Sequence, residues 1–373
     1  MTVPRPYTVV AEITYKCPLK CLYCSNPVNF HEMRNELSTE QWVRTFSEAA
    51  DLGVVQLHLS GGEPVVRKDL PELIRHARSR DLYTNLITGG TLLNEEKLRL
   101  FRDCGLEHIQ LSLQDTDRKA AELVAGVRSY TKKLEIARLI KMIGFPLTIN
   151  VVLHRLNIEH VPALIAQAAE LGAQRLELAN TQYHAWAQEN QSALMPTRAQ
   201  LDQAEAVVLE ARPRYQGTME IAYVKADYYS EYPKPCMGGW ARNYMVIIPT
   251  GEVLPCHAAH VIPGLHFDSV RDRSLTTIWA ESQGLNAFRG DGWMQEPCRS
   301  CPRKTIDFGG CRCQAFLLAG DAAATDPVCS LSPRHDIIQK AIAKAEQGNG
   351  SLIYREPKNS ERLSTRPLEP ASR

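Results

Sequence analysis

The chain has 373 residues, of which 44% are hydrophobic and 23% are charged, as is typical of a globular protein. Its 43 basic and 42 acidic residues nearly cancel, so the charge gives no indication of a nucleic-acid or membrane surface. No apolar run of about 18 residues is present, and the N-terminal residues lack the apolar core of a signal peptide. We therefore expect a cytoplasmic protein, in which clustered cysteines indicate metal binding more often than disulfides.

Short apolar runs rich in β-branched residues alternate with amphipathic segments over the first 180 residues. The predicted strands are 9–14, 55–60, 83–88, 108–113, 147–153 and 175–179. Predicted helices lie between them, and the first begins with a capping box at Ser38 and ends at Gly53. This alternation predicts a parallel α/β sheet with right-handed crossovers. An open sheet and a partial barrel both remain compatible with the pattern, and in either the chemistry lies at the carboxyl ends of the strands.

Three cysteines follow the first strand with the spacing C-x3-C-x2-C: Cys17, Cys21 and Cys24. Three thiolates can bind three irons of a [4Fe–4S] cluster, whereas a cluster held by protein alone normally has four ligands. The missing ligand suggests that a substrate or cofactor completes the site. The alternative is a structural zinc site, for which His31 is the nearest fourth ligand in the sequence.

Polar or glycine-rich positions follow several other strands and are candidate cofactor-binding residues. They are Gly61, Gly62, Glu63, Pro64, Ser112, Gln114 and Asn150. The two glycines would let the backbone approach a ligand closely, and the carboxylate of Glu63 could pair with a ligand ammonium group. For Ser112, Gln114 and Asn150, ordinary loop hydrogen bonds are equally compatible with the sequence.

The last third of the chain is rich in cysteine, with seven of the eleven cysteines between positions 236 and 329. Zinc ribbons use two C-x2-C pairs for each metal, and only one such pair, Cys298 and Cys301, is present. Two further iron–sulfur clusters would need eight ligands. Asp307 stands where a C-x2-C-x5-C-x3-C pattern would place a cysteine, and a carboxylate is a harder donor than a thiolate that can also bind iron.

The cysteine loop, with Tyr23 before Cys24, the Gly-Gly-Glu-Pro loop and the six β/α units together resemble the radical S-adenosylmethionine (SAM) enzymes. The resemblance implies a partial (β/α)6 barrel of the TIM type. It also implies that SAM binds the open iron of the cluster through its amino and carboxylate groups. Reduction of the cluster then cleaves SAM and yields a radical that abstracts a hydrogen atom from the substrate. In this family Glu63 falls in the loop that holds the SAM amino group.

The C-terminal third resembles the SPASM domain, which carries two auxiliary clusters ([4Fe–4S] and/or [2Fe–2S]) in peptide-modifying radical SAM enzymes. Two departures stand out: Asp307 replaces a cysteine, and the cysteine common soon after the first ligand is absent after Cys236, a loss for which Cys313 can compensate. By this resemblance we assign one cluster to Cys236, Cys256, Cys311 and Cys313. The other is assigned to Cys298, Cys301, Asp307 and Cys329.

The segments 296–301, 306–316 and 320–329 are most similar to the peptide cyclases of pyrroloquinoline quinone (PQQ) biosynthesis. That similarity implies a carbon–carbon bond between a glutamate γ-carbon and a tyrosine ring carbon of the precursor peptide (PqqA). It also implies a small peptide chaperone (PqqD) and an electron donor such as flavodoxin as partners. The alternatives are another SPASM-type peptide-modifying enzyme, thioether-forming or sulfatase-maturing, and, from another class, a structural zinc scaffold.

We expect three parts along the chain: residues 1–225 as the radical SAM barrel, 226–340 as the auxiliary-cluster domain and 341–373 as a polar, mobile tail. Cys104, which has no partner nearby in the sequence, is predicted to be a buried structural thiol. No residue that would act as the catalytic base can be named from the sequence.

Overall fold

The structure, a computed structural model, describes residues 3–348 and 350–365. Its strands are β1 (Thr8–Thr14), β2 (Gln56–Gly61), β3 (Tyr83–Thr88), β4 (His108–Leu113), β5 (Leu147–Leu153), β6 (Arg175–Asn180), β7 (Glu220–Val224), β8 (Tyr244–Ile247) and β9 (Val253–Leu254). Its helices are α1 (Thr39–Leu52), α2 (Leu70–Ser79), α3 (Glu95–Asp103), α4 (Arg118–Ala125), α5 (Tyr130–Ile143), α6 (Val161–Glu170), α7 (Ala185–Glu189), α8 (Gln191–Leu194), α9 (Arg198–Tyr215), α10 (Leu275–Glu281), α11 (Gln283–Asn286), α12 (Lys304–Asp307), α13 (Arg312–Ala319), α14 (Asp336–Glu346) and α15 (Pro357–Ser364).

One sheet organises the described residues, with the strand order β7-β6-β5-β4-β3-β2-β1-β8-β9. Every neighbouring pair from β7 to β8 is parallel, and only β8 and β9 are antiparallel. All six predicted strands are present, and the predicted parallel α/β fold is confirmed. β7 and β9 form the two edges, so the sheet is open rather than a closed barrel.

The sequence did not predict two of the pairings at the ends of this sheet. β7 extends it beyond β6, and β8 pairs with β1. β8 and β9 form an antiparallel hairpin, and the local sequence gave no sign that β8 would pair with the first strand. As a result, the cysteine-rich part of the chain begins on the same sheet as the N-terminal cysteine loop.

The helices begin and end where the local sequence favours it. Ser38 and Gln41 form the predicted capping box at the start of α1, which satisfies backbone N–H groups that would otherwise lack partners. Gly53 ends that helix with a φ of 94°, a left-handed conformation that glycine adopts at low cost. The short helix α4, which the sequence did not predict, begins at the capping residue Asp117.

The two faces of the sheet differ in polarity because successive side chains along a strand point to opposite sides. On β1 the apolar residues Val9, Ala11 and Ile13 are fully buried in the core, which also contains Phe46 of α1. The alternate face carries polar side chains, such as Ser112 and Asn150, which lie in register on β4 and β5. The inner face is therefore polar, as a ligand-binding surface would require.

The predicted mobile tail is packed against the rest of the protein where the structure describes it. Arg355, Ser360 and Leu363 are buried, and residues 357–364 form α15. The prediction of mobility was therefore wrong up to Thr365, because the polar side chains of this segment hydrogen-bond to distant parts of the chain. Asn349 and residues 366–373 lie outside the described residues.

No helix within the described ranges combines the length and the apolar character that a membrane crossing would need. Cys104 is 3% exposed, which agrees with its predicted structural role.

Replacing a core residue of β2 should cost much more stability than replacing an exposed leucine. Leu57 is fully buried, whereas Leu209 on α9 is 55% exposed. We expect Leu57→Ala to lower the free energy of unfolding by about 2–5 kcal/mol, because it removes buried methyl groups and leaves a cavity. Leu209→Ala should change it by no more than about 0.5 kcal/mol. Urea unfolding of both variants measures the difference, and equal losses would contradict this core assignment.

Candidate functional site

The three N-terminal cysteines lie in the loop that follows β1, at the carboxyl end of the parallel strands. None of them forms a disulfide. Burial raises the pKa of Cys17 to about 12 and that of Cys21 to about 11, and it also raises the pKa of Cys24. Neighbouring thiols in the loop add to the increases for Cys17 and Cys21. Thiolates at these positions therefore require a compensating positive charge, such as bound iron.

Two buried cations of the protein act on the same thiols. Lys133 is 1% exposed and Arg355 is 4% exposed. Both lower the pKa of Cys21, so they oppose the effect of burial. Sequence reasoning missed both residues, since lysine and arginine are rarely buried. A signal for Lys133 was present, because it shares the apolar face of α5 with Ile136, Ala137 and Ile140.

The Gly-Gly-Glu-Pro loop is bonded directly to the beginning of the cysteine loop. Gly62 N donates to Thr14 O at 2.6 Å, and Glu63 N donates to Lys16 O at 2.8 Å. A Cβ atom on Gly61 would lie 2.3 Å from Thr14 O, and one on Gly62 would lie 2.5 Å from Lys16 O. Both glycines are thus required by the close approach of two protein loops, whereas the sequence had suggested the approach of a ligand. Pro64 follows them, buried at the start of a short 3₁₀ turn.

Glu63 is fully buried and joins the loops that follow β2 and β3. Its Oε1 accepts from Thr88 Oγ1 at 2.8 Å, and its Oε2 accepts from Gly89 N at 2.8 Å. Burial raises the pKa of this carboxyl despite those bonds. A buried carboxylate of this kind is stabilised by a nearby cation, which fits the ammonium group predicted to bind here.

The other predicted cofactor-binding residues lie on or just after β4 and β5. Ser112 and Asn150 face each other in register, and Asn150 is also in register with Glu177 on β6. Sequence reasoning did not single out Glu177. Gln114 has protein partners on both sides of its amide: its Nε2 donates to Tyr23 Oη at 3.0 Å, and its Oε1 accepts from Lys133 Nζ at 2.7 Å. The contacts of Gln114 are thus of the ordinary hydrogen-bonding kind and support the cysteine loop.

The first predicted group of four auxiliary cysteines comes together in the structure. The neighbouring thiols of Cys236 and Cys313 lower the pKa of Cys311. The Sγ atoms of Cys256 and Cys313 lie 3.8 Å apart. These four residues come from the loop before β8, the loop after β9 and the start of α13.

The second predicted group lines one small pocket. Its walls include all four predicted ligands: Cys298, Cys301, Asp307 and Cys329. Asp307 is 7% exposed, accepts from Gly309 N at 3.0 Å and lies 3.5 Å from Arg303 Nε. The structure therefore brings together both predicted groups of four residues.

Two buried charged residues that the sequence analysis overlooked hold these cysteine-bearing loops. Arg312, 1% exposed, donates to the carbonyl oxygens of Ala322 and Ala324 at 2.9 and 2.8 Å. Asp326, fully buried, accepts from Cys311 N at 2.8 Å and from Val328 N at 3.0 Å. Burial raises the pKa of Asp326 to about 7.

Comparison with known proteins identifies the family. Residues 11–168 match the Radical SAM superfamily, and residues 236–302 match an iron–sulfur cluster-binding domain, SPASM. The chain is 50% identical over 355 residues to a PqqA peptide cyclase of Granulibacter bethesdensis, covering 95% of each chain. It is 52% identical to one of Rhodopseudomonas palustris, covering 94% of each. The chain belongs to the PqqA peptide cyclases. The resemblance inferred from the motifs is therefore confirmed.

A solved structure shares the fold of this PqqA peptide cyclase family member. The structure of SuiB from Streptococcus suis, bound to its precursor peptide SuiA, aligns with a TM-score of 0.72 over 87% of this chain and 76% of that chain. The sequence identity is 21%, so this likeness concerns the fold alone.

The residues of this PqqA peptide cyclase family member fit the cofactors that the family requires. Cys17, Cys21 and Cys24 are free, are partly buried in one loop and lie within the electrostatic reach of a buried cation. Glu63 supplies a buried carboxylate on a loop bonded to the cysteine loop. The match between the SPASM family and the C-terminal part of the chain indicates auxiliary iron–sulfur clusters in addition.

His154 makes the stability of this PqqA peptide cyclase family member sensitive to pH. It is fully buried beside Tyr23, and its two ring nitrogens have no hydrogen-bond partner among the described residues. Burial lowers its pKa to about 3. Because the unfolded chain takes up this proton near pH 6.5, stability falls as the pH drops below that value and levels off only near the folded pKa.

We expect wild type to lose about 2 kcal/mol more than His154→Phe when the pH falls from about 7 to 5. Urea unfolding of the metal-free proteins at both pH values measures this difference. Because both proteins retain every other histidine, parallel pH dependences would contradict a neutral buried imidazole at this position.

Proposed function

We propose that this protein is a radical SAM peptide cyclase that joins a glutamate γ-carbon to a tyrosine ring carbon in the precursor peptide of PQQ biosynthesis. The observation that carries the proposal is the 50% identity to PqqA peptide cyclases over 95% of the chain. The three groups of candidate cluster ligands support it. The proposed reaction removes two hydrogens from the peptide, one from the glutamate methylene and one from the tyrosine ring.

The proposal assigns one iron–sulfur cluster to each of three groups of ligands. Cys17, Cys21 and Cys24 would hold a [4Fe–4S] cluster that binds SAM, and each auxiliary group of four residues would hold one further cluster of the [4Fe–4S] or [2Fe–2S] type. When bound, these groups supply the one-electron chemistry that removes the glutamate hydrogen and accepts the electron released as the ring regains its aromaticity.

The role of Glu63 follows from its burial and its bonds. Thr88 and Gly89 fix both carboxylate oxygens, so the group cannot rotate away from the cysteine loop. Its negative charge would orient the amino group of SAM toward the cysteines. The glycines at 61 and 62 and the buried Pro64 would fix the distance between this carboxylate and the cluster ligands.

Ser112 and Asn150 are proposed to contact the rest of SAM from the polar inner face of the sheet, where they lie side by side. Gln114 is proposed to contact SAM beside these two residues, with its amide oriented by Lys133 and Tyr23. A polar row at the carboxyl ends of parallel strands is suited to the ribose and carboxylate groups of such a cofactor.

The proposed partners are the precursor peptide as substrate, a small peptide chaperone (PqqD) that delivers it and an electron donor such as flavodoxin. A cytoplasmic location belongs to the same proposal, because thiol ligands persist in a reducing compartment. We retain 1–225, 226–340 and 341–373 as the proposed division of the chain into barrel, auxiliary domain and C-terminal segment.

Cyclisation of the precursor peptide tests the proposed reaction directly. Anaerobically reconstituted protein is incubated with precursor peptide, chaperone, SAM and a reductant. We expect the peptide to lose two hydrogens, and its fragment ions to show glutamate and tyrosine covalently joined. Loss of two hydrogens with a thioether or a formylglycine-type product would instead support another SPASM-type modification.

Asp307 is proposed as the one carboxylate among the cluster ligands. We expect Asp307→Ala to change the iron content and the electronic spectrum of one auxiliary cluster while the cleavage of SAM continues at a similar rate. Asp321→Ala, at an exposed position, serves as a matched control. Iron analysis and electron paramagnetic resonance (EPR) spectroscopy make the comparison. Identical iron counts and spectra in all three proteins would remove Asp307 from the ligand set.

A further inference from the structure

The C-terminal segment at residues 353–364, here called the strap, crosses the N-terminal cysteine loop. Arg355 N donates to Lys20 O at 3.3 Å, and Lys20 Nζ lies 3.1 Å from Glu356 Oε2. One cleft is lined both by Cys17 of the loop and by Arg355 and Glu356 of the strap. The strap is therefore part of the wall around the first cysteine ligand.

A buried asparagine holds the strap and the loop together. Asn190 is fully buried, and its Nδ2 donates to Leu22 O in the cysteine loop at 2.9 Å. The same amide donates to Ile353 O at 2.8 Å and accepts from Ile353 N at 2.7 Å. This side chain bonds the residue between two cluster ligands to the first residue of the strap.

Two further contacts fix the strap on either side of this point. Tyr354 Oη donates to Leu123 O at 3.0 Å, at the end of α4. Ser360 Oγ lies 2.6 Å from His31 Nδ1 and donates to Val28 O. The amides of Lys20 and Leu22 donate to α4 as well, so the loop lies between this helix and the strap.

Arg355 places a buried positive charge beside the loop. Its Nη2 donates to Tyr15 O at 2.6 Å, and its guanidinium lies 4.0 Å from the centre of the Phe30 ring. Its Nε has no hydrogen-bond partner in the part of the chain that the structure describes. The charge acts electrostatically on Cys17, Cys21 and Cys24. A buried cation with an unused donor has a clear role only if negative charge lies nearby.

We propose that the strap holds the cysteine loop in its ligating conformation and that Arg355 is a positioning residue whose charge makes the cluster on this loop easier to reduce. The inference rests on the proposed function, in which these three cysteines hold the cluster that binds SAM. Reduction adds a negative charge to the cluster, and a fixed cation in a medium of low dielectric constant favours that state. The charge of Arg355 would thereby assist the first electron transfer of the reaction.

The charge of Arg355 is tested by the reduction potential of the initiating cluster. Full-length wild type, Arg355→Gln, Arg355→Lys and Arg362→Gln are reconstituted and titrated under EPR, and the cluster is identified by the change in its signal when SAM is added. Arg362 is exposed on α15, within the same strap, so its substitution removes an equal charge from the protein surface. We expect a shift to lower potential in Arg355→Gln, with Arg355→Lys and Arg362→Gln close to wild type.

The strap is tested without metal by hydrogen exchange at the amides of Lys20 and Leu22. The double variant Tyr354→Phe/Ser360→Ala removes two uncharged side-chain anchors of the strap and no charge, and remains informative if Arg355→Gln fails to fold. We expect faster exchange at these amides in the double variant, while its cluster potential stays that of wild type. If the amides of Lys20 and Leu22 exchange as slowly in the double variant as in wild type, the proposed role of the strap is wrong.

The outcomes separate the two proposals. Wild type without a cluster that responds to SAM would defeat the proposed function. Wild type with such a cluster, together with an unchanged potential in Arg355→Gln or an equal shift in Arg362→Gln, would overturn only the role of Arg355.

Discussion

The concentration of partly buried thiols after β1 is the constraint on which the rest of the site depends. Burial raises the pKa of all three N-terminal cysteines, so their thiolates need positive charge around them. The protein supplies part of that charge from two distant segments, Lys133 on α5 and Arg355 beside α15. Each in turn needs hydrogen-bond partners, which explains why Gln114, the Ser112 carbonyl and the Tyr15 carbonyl point toward these cations.

The strands and the two loop motifs were predictable because their signals are local. Alternating apolar runs fix β1 to β6 within a few neighbouring residues, and the cysteine spacing identifies the ligand loop without any tertiary contact. Arg355 could not be found in this way, since it contacts Tyr15 across 340 positions of the chain. Its surroundings in the sequence are polar, which is why they indicated a mobile tail. The grouping of the eight auxiliary positions rests on family resemblance alone and stays a prediction, because no local pattern pairs Cys236 with Cys311.

The sequence identified the Gly-Gly-Glu-Pro motif correctly but gave only part of the physical reason for its two glycines. The sequence justified them by the approach of a ligand, yet their missing Cβ atoms make room for the backbone of residues 14–16. This contact fixes Glu63 relative to the cysteine loop through hydrogen bonds of 2.6 and 2.8 Å. The geometry between carboxylate and cysteines is therefore built into the protein before any cofactor binds.

The shared sheet connects the N-terminal cysteine loop to the cysteine-rich part of the chain. β8 is parallel to β1, and the loop of Cys17 and the loop of Cys256 leave from this one sheet, after β1 and after β9. Two modules joined only by a flexible linker would vary in separation, whereas neighbouring strands are held about 5 Å apart by backbone hydrogen bonds. In the proposed reaction, transfer of an electron from a peptide radical to an auxiliary cluster would depend on the distances between the groups. The pairing of β1 with β8 fixes how the two strands that precede these cysteine loops lie relative to each other.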